Sequence, residues 1–137
     1  MTSDPPFHAA IVGGSVGGLA AAIELKDRTG AAVSVYERSA GTMQARGAGV
    51  VMQPELDALL ERIGVETRFV CVRLEYRVAL GRDGRSHQQA APQWMTAWDT
   101  LYGTMRTHLV EECYRQDSRL IRIDPRADAV SVAFADG

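Results

Sequence analysis

The chain has 137 residues, which is the length of one ordinary domain with a buried core. Apolar residues make up 46% of it and charged residues 23%, and 15 basic residues nearly balance 17 acidic ones. This composition argues against a disordered chain and against a basic surface for nucleic acid. No apolar stretch approaches the roughly 20 residues of a membrane helix, so we expect no membrane partner either.

The two cysteines, Cys71 and Cys113, have no CxxC partner and no histidine at a metal-ligand spacing. We therefore expect neither a metal site nor a disulfide. Free thiols are typical of a reducing cytoplasm, and the first seven residues include no basic residue, unlike a secretory or transit peptide. The sequence thus predicts a cytoplasmic protein.

The first 36 residues predict a strand, a turn, a helix and a second strand. Residues 9–12 form a short apolar run, and residues 16–28 have the apolar spacing of a helix that ends at Gly30. Residues 31–36 then predict the second strand, because Val33 and Val35 are β-branched. Such a βαβ unit brings its two strands together in parallel, so the chain begins as an α/β fold.

A glycine-rich loop at residues 37–53 precedes a helix that begins at Pro54 and ends at Gly64. Residues 69–80 and 85–89 flank an Asp-Gly turn, which predicts an antiparallel hairpin. Charged and apolar side chains alternate along its first strand, which predicts one polar face and one apolar face.

A further helix is predicted over residues 100–115, with Asp99 as its N-cap, and strands at 120–123 and 129–134 follow. The last strand resembles half of a hairpin whose partner is missing, so we expect the chain to be an N-terminal piece of a longer protein. The alternative is a short domain whose last strand lies at a sheet edge.

If the chain is a piece, parts of its surface should lack their partners. We expect an unpaired sheet edge and an exposed apolar helix face formed by Leu101, Met105 and Leu109. The chain alone would then be marginally stable, would self-associate, or would pair with a complementing chain.

The turn between the first strand and the first helix follows the pattern G-x-G-x-x-G, with Ser15 in place of the middle glycine between Gly13 and Gly18. Amides at a helix start favour a phosphate. Glu37 ends the second strand 19 residues after Gly18, which is the spacing of a carboxylate that accepts ribose hydroxyls. The pattern indicates a dinucleotide site but does not choose between FAD and NAD. The alternative is a glycine turn that packs a helix on a sheet, with Glu37 in solvent.

Three further stretches carry a family resemblance: VYERS at residues 35–39, RGAGVVMQP at 46–54 and TAWDTLY at 96–102. Together with the glycine turn, they resemble the single-component FAD-dependent aromatic hydroxylases, the family of p-hydroxybenzoate and salicylate hydroxylases. Within it they are most similar to the 2,6-dihydroxypyridine hydroxylase branch. The resemblance covers residues 10–137.

The resemblance implies a Rossmann-like FAD-binding fold of the GR2 type, here an incomplete single domain. Residues 1–64 would form the βαβ unit and cofactor loop, residues 65–98 the hairpin that begins a substrate domain, and residues 99–137 a helix and strands that return to the FAD domain. The intact protein would hydroxylate an aromatic or N-heteroaromatic ring with FAD, NAD(P)H and O2. The chain alone would be inactive, because the family's DG and GD motifs are absent from it.

The resemblance also assigns cofactor-binding residues. The FAD pyrophosphate would be held by Gly13, Gly14, Ser15, Val16, Gly17 and Gly18. Glu37 would bind the adenosine ribose, Arg38 the adenine end, and Arg46 the phosphates or ribityl chain. The backbone beside the flavin would be that of Gly47, Ala48, Gly49 and Val50. Arg106 would brace the cofactor from the predicted helix at residues 100–115.

No residue is assigned a catalytic role. The three histidines, His8, His87 and His108, are interpreted as surface or hydrogen-bonded side chains. Two other functions remain open: a different FAD- or NAD-dependent oxidoreductase, and a non-catalytic nucleotide-binding fragment or partner in a split protein. The sequence does not identify the substrate, choose NADH over NADPH, or give the oligomeric state.

Overall fold

A computed structural model of the protein describes residues 7–41, 43 and 49–135. The chain divides into two compact units. The first unit comprises Met1–Arg46 and Tyr102–Gly137, and the second comprises Gly47–Leu101. Among the described residues, no helix has the length and apolar character needed to cross a membrane. The division into domain parts that the resemblance implies stays a prediction.

The first unit contains the predicted βαβ unit. It consists of β1 (His8–Val12), α1 (Val16–Thr29) and β2 (Ala32–Tyr36), and β1 pairs with β2 in parallel. The helix ends where the sequence predicts, because Gly30 adopts a left-handed φ of 67° and its N–H donates to the Lys26 carbonyl at 3.0 Å.

The core of this unit lies between α1 and the sheet. Leu19 and Ile23 on the helix, and Val33 and Val35 on β2, are buried. A third strand, β6 (Tyr114–Arg115), pairs in parallel with the other side of β2, so the strand order is β1-β2-β6. The mixed architecture with a parallel beginning confirms the predicted α/β fold class.

The second unit is built on an antiparallel sheet with the order β3-β5-β4. Its elements in chain order are β3 (Gly49–Val51), α2 (Pro54–Arg62), α3 (Thr67–Val70), β4 (Val72–Leu80) and β5 (Ser86–Ala97). The predicted hairpin is confirmed: Gly84 has a φ of +79°, and the Gly81 N–H donates to the Arg85 carbonyl at 2.8 Å.

After β5 the chain forms α4 (Trp98–Arg106) and a single 3-10 turn (Glu111–Cys113) that leads into β6. The first unit then ends in an antiparallel pair, β7 (Leu120–Pro125) and β8 (Val130–Phe134). The Phe134 ring stacks on Tyr36 with centroids 4.2 Å apart, which holds this pair against the parallel sheet.

The predicted helix over residues 100–115 is wrong in its second half. The helix ends at Arg106, and Tyr114 and Arg115 instead gain strand pairing beside β2. Consequently His108 lies in the turn after the helix, and Cys113 lies on the 3-10 turn rather than on a helix face. The helix begins at Trp98, so Asp99 belongs to its first turn and is not the N-cap.

The bounds of the hairpin also differ from the prediction. Phe69 belongs to α3, and the second hairpin strand continues to Ala97 instead of ending at Gln89. Pro92 is tolerated inside this strand because the register shifts there: Leu74 pairs with Gln93, whereas Tyr76 pairs with Ala90. The predicted loop at residues 37–53 includes the short strand β3, which pairs with β5.

Two expectations about surfaces that lack a partner are wrong as well. The final strand does not lack a partner, since β8 pairs with β7. Leu101, Met105 and Leu109 are buried, with at most 4% of each residue exposed. By contrast, all nine residues of β4 are exposed, including Val72, Val78 and Leu80.

The packing of β2 gives a direct test of the first unit's core. Val35→Ala removes two methyl groups from a fully buried site, and we expect it to lower the free energy of unfolding by about 1–3 kcal/mol. The matched control is Val78→Ala on β4, where the side chain is 58% exposed and the loss should stay within about 0.5 kcal/mol. Urea unfolding measures both, and equal losses would contradict the described core.

Candidate functional site

The turn between β1 and α1 requires glycine at two positions for two different reasons. Gly13 has a φ of +103°, which side chains rarely tolerate, and its N–H donates to the Tyr36 carbonyl at 2.8 Å. Gly18 lies so close to the Gly13 carbonyl oxygen that a Cβ there would collide with it. The first turn of the helix therefore packs directly against the end of β1.

The start of α1 presents backbone amides without helical acceptors. The first intrahelical bond runs from the Leu19 N–H to the Ser15 carbonyl at 2.9 Å, so the N–H groups of Val16, Gly17 and Gly18 precede the helical ladder. The first turn carries no acidic residue, and the Ser15 side chain makes no capping hydrogen bond. Because Gly17 is exposed with no atom within 4 Å of a Cβ position, an anion can approach here.

Glu37 lies directly beside this turn. Only 6% of the residue is exposed, and its two carboxylate oxygens accept different backbone amides. Oε2 accepts the Gly14 N–H at 2.8 Å, and Oε1 accepts the Ser39 N–H at 2.9 Å. The alternative of a solvated strand end is wrong, because the carboxylate is buried and joins the glycine turn to the end of β2.

A pocket of about 400 Å³ opens next to this carboxylate. Gly13 and Glu37 line it from the predicted site, and Arg38 and Arg119 line it with exposed side chains. The sequence analysis missed Arg119, because no motif surrounds it and only the fold brings residues 118–120 to this edge of the sheet. The pocket combines a buried carboxylate with two cations at its rim.

A second cavity, of about 540 Å³, lies by Arg106, Tyr102 and Tyr114. The Tyr114 hydroxyl donates to the Gly14 carbonyl at 2.9 Å and accepts from the Tyr102 hydroxyl at 3.1 Å. Burial, more than its neighbours, raises the pKa of Tyr114 well above its usual range, so the phenol stays protonated. Neither tyrosine is among the residues predicted for the site. The sequence predicts Tyr114 on a helix, whereas it lies on β6, and only the fold brings Tyr102 to it.

Arg106 is held in the same cavity by three contacts. Its guanidinium lies 4.4 Å from the centre of the Tyr114 ring, pairs with Glu111 at 2.5 Å and donates to the Leu109 carbonyl at 3.2 Å. The structure thus brings Arg106 close to the residue that contacts the glycine turn. Its contact with a cofactor stays a prediction.

The remaining predicted residues lie elsewhere. Gly49 and Val50 form β3 in the second unit, where they pair with Ala97 and Thr96. Arg46, Gly47 and Ala48 lie outside the described residues.

Neither the histidines nor the acidic residues form a further centre in the part of the chain described. His8 is the first residue of β1 and shares a hydrogen bond of 2.9 Å with the Ser34 hydroxyl, whereas His87 is exposed on β5. Within residues 7–41, 43 and 49–135, no three His, Cys, Asp or Glu side chains are grouped as metal ligands. Cys71 and Cys113 are free thiols.

Comparison with known proteins identifies similar chains. No protein-family model matches. The sequence is 36% identical over 132 residues to 2,6-dihydroxypyridine 3-monooxygenase of Paenarthrobacter nicotinovorans, which covers 93% of this chain and 32% of that protein. The resemblance to the FAD-dependent aromatic hydroxylases is confirmed. The chain spans about a third of the length of this relative.

Solved structures agree with the sequence match. The 2,6-dihydroxypyridine-3-hydroxylase from Arthrobacter nicotinovorans superposes with a TM-score of 0.84 at 32% identity, over 98% of this chain and 35% of that one. Klebsiella pneumoniae HpxO, complexed with FAD and uric acid, has a TM-score of 0.75 at 21% identity, over 96% of this chain and 36% of that one. At that identity the second match shows the fold alone.

The two adjacent glycines of the turn give a matched pair of substitutions. Gly18→Ala forces a Cβ into the Gly13 carbonyl, and we expect it to lower the free energy of unfolding by about 1–3 kcal/mol. Gly17→Ala enters open space on a helix, so it should leave stability unchanged or raise it by up to about 1 kcal/mol. Urea unfolding measures both variants; a stable Gly18→Ala protein would contradict the close packing of α1 on β1.

Proposed function

We propose that the first unit binds the ADP part of FAD, and that this chain is the FAD-binding portion of a flavin-dependent monooxygenase. The intact enzyme would hydroxylate an aromatic or N-heteroaromatic ring with NAD(P)H and O2. One observation carries the proposal: the buried carboxylate of Glu37 is bonded to the glycine turn and lines a pocket beside the open start of α1. The 36% identity to a monooxygenase supports the same interpretation.

The residues present fit a dinucleotide. The diphosphate would meet the amides of Val16 and Gly17 at the positive end of the helix dipole. The turn that presents these amides depends on the φ of +103° at Gly13 and on the absence of a Cβ at Gly18, where it would collide with the Gly13 carbonyl oxygen. Glu37 would accept hydroxyls of the adenosine ribose, and its negative charge would disfavour a ribose 2′-phosphate.

Two cations of the first unit would complete the nucleotide end of the site. Arg38 lines the ribose pocket and would lie against the adenine end, as the family resemblance implies. Arg106 would neutralise phosphate charge from the neighbouring cavity. The family resemblance alone supports contacts to the flavin by Arg46, Gly47, Ala48, Gly49 and Val50.

When bound, FAD would supply the redox chemistry with NAD(P)H and O2. The chain's own contribution would be to anchor the nucleotide end, so that the flavin end is delivered to a fixed place. No described residue is assigned the proton transfer from a substrate hydroxyl. Because the chain spans about a third of its relatives, the substrate site and the reaction are proposals for the whole protein.

The substrate class and the cellular context are inferred from the same sources. The relative named for 2,6-dihydroxypyridine supports a small aromatic or N-heteroaromatic substrate. The two free thiols are compatible with a cytoplasmic protein. Self-association, or pairing with a complementing chain, is supported by the exposed apolar side chains Val72, Val78 and Leu80 of β4.

A nucleotide-binding module without catalysis is the second candidate. It is favoured by the fact that the residues described at the site, Glu37 and the glycine turn, are those proposed for the ADP end of a cofactor. Hydroxylated product formed by the intact protein would decide for the monooxygenase. Nucleotide binding without any such product would decide for the module.

Glu37→Gln gives the sharpest test of the nucleotide site, because it removes the charge at nearly constant shape. We expect the Kd for FAD to rise roughly tenfold or more, since a charge-assisted hydrogen bond contributes about 1.5–3 kcal/mol. The Kd for ADP should rise by a similar factor, whereas the Kd for FMN, which lacks the adenosine, should not change. Flavin fluorescence quenching and calorimetry measure these constants.

The matched control for this variant is Glu75→Gln, because Glu75 is an exposed carboxylate on β4 in the second unit. It should leave all three affinities unchanged. An unchanged FAD affinity in a folded Glu37→Gln protein would remove the ribose assignment.

A further inference from the structure

Gly14 is fixed on three sides by two side chains, those of Glu37 and Tyr114, which come from different segments of the chain. Its N–H donates to Glu37 at 2.8 Å, and its carbonyl accepts the Tyr114 hydroxyl at 2.9 Å. A Cβ on Gly14 would come within 2.6 Å of Tyr114 Cζ, so the tyrosine ring occupies the space of the missing side chain. The residue is buried, and both of its backbone polar groups are satisfied.

These bonds set the orientation of the peptides that lead into α1. A peptide unit is planar and trans, so the Ser15 N–H points opposite to the Gly14 carbonyl. When Tyr114 holds that carbonyl, it also fixes the direction of the first amide at the helix start. In the same way, Glu37 fixes the peptide between Gly13 and Gly14.

The tyrosine itself is held rigidly. Tyr102 donates a hydrogen bond to its hydroxyl, and the Arg106 guanidinium lies over its ring. Burial raises the pKa of Tyr114 above its usual range, so the phenol is a donor to Gly14 at neutral pH. Only 6% of Tyr114 is exposed, which leaves the ring little freedom to move.

We propose that Tyr114 is a positioning residue for the diphosphate of the bound dinucleotide: through its bond to the Gly14 carbonyl, it aims the amides of the glycine turn at the phosphates. This inference rests on the proposed nucleotide site and assigns to it a residue 100 positions away in the sequence. Tyr114 acts through the backbone, not by touching the ligand.

Tyr114→Phe in the full chain removes the hydroxyl and keeps the ring. We expect the Kd for ADP to rise roughly three- to tenfold, as the loss of one hydrogen bond implies. The Kd for adenosine, which has no phosphate, should change less than twofold. Calorimetric titration with each compound measures both dissociation constants, in the wild type and in the variant. A parallel loss for both ligands would mean a merely structural role, and no loss for either would mean no role; each overturns the proposal.

Two other tyrosines serve as graded controls. Tyr102→Phe removes only the donor to Tyr114 and should give a smaller effect of the same kind. Tyr76 is exposed on strand β4, so Tyr76→Phe should change neither Kd. The proposal would be overturned if Tyr76→Phe changed the Kd for ADP relative to the Kd for adenosine as much as Tyr114→Phe does.

A ligand-free measurement separates this inference from the nucleotide site. Amide hydrogen exchange by NMR should be faster at Gly14 in Tyr114→Phe than in the wild type, because the turn loses one of its two anchors. Unchanged exchange at Gly14 would overturn the positioning role, even if the wild type binds ADP. A wild type that binds neither ADP nor FAD would overturn the proposed function, and the positioning of phosphates with it.

Discussion

The carboxylate of Glu37 binds the backbone of two segments at once, Gly14 in the glycine turn and Ser39 beyond β2. A buried charge is costly unless hydrogen bonds satisfy it, and each charge-assisted bond contributes about 1.5–3 kcal/mol. The end of β2, the conformation of the turn and the entry into α1 therefore depend on one side chain. The same side chain lines the pocket proposed for ribose, so it would serve both the fold and the proposed binding.

A second constraint completes this arrangement from the far end of the chain. The Glu37 N–H donates to the Arg115 carbonyl at 2.7 Å, and the neighbouring Tyr114 reaches the Gly14 carbonyl through its hydroxyl. A strand of only two residues, β6, thus contacts both the strand and the turn of the βαβ unit. The proposed nucleotide site would therefore be completed by residues far beyond the glycine motif.

The sequence predicted what is local and missed what is distant. The βαβ unit and the hairpin turn follow from apolar spacing and glycine positions, and both are confirmed. The apolar spacing of Leu101, Met105 and Leu109 predicts a helix that continues through Tyr114. The observed strand pairing of Tyr114 with β2 depends on contacts that no local pattern contains. Arg119 joins the site only through the fold, and no motif surrounds it. Tyr102 ends the stretch TAWDTLY, but its bond to Tyr114 follows only from the fold.

NMR mapping of ADP on the isotope-labelled chain tests the central claim most directly. The account predicts the largest amide shift changes at Val16 and Gly17, with a second group at Glu37 and Arg38. The signals of the exposed strand β4 should stay unchanged. Saturable shifts confined to the second unit, or no shifts at millimolar ADP, would contradict a nucleotide site at the glycine turn.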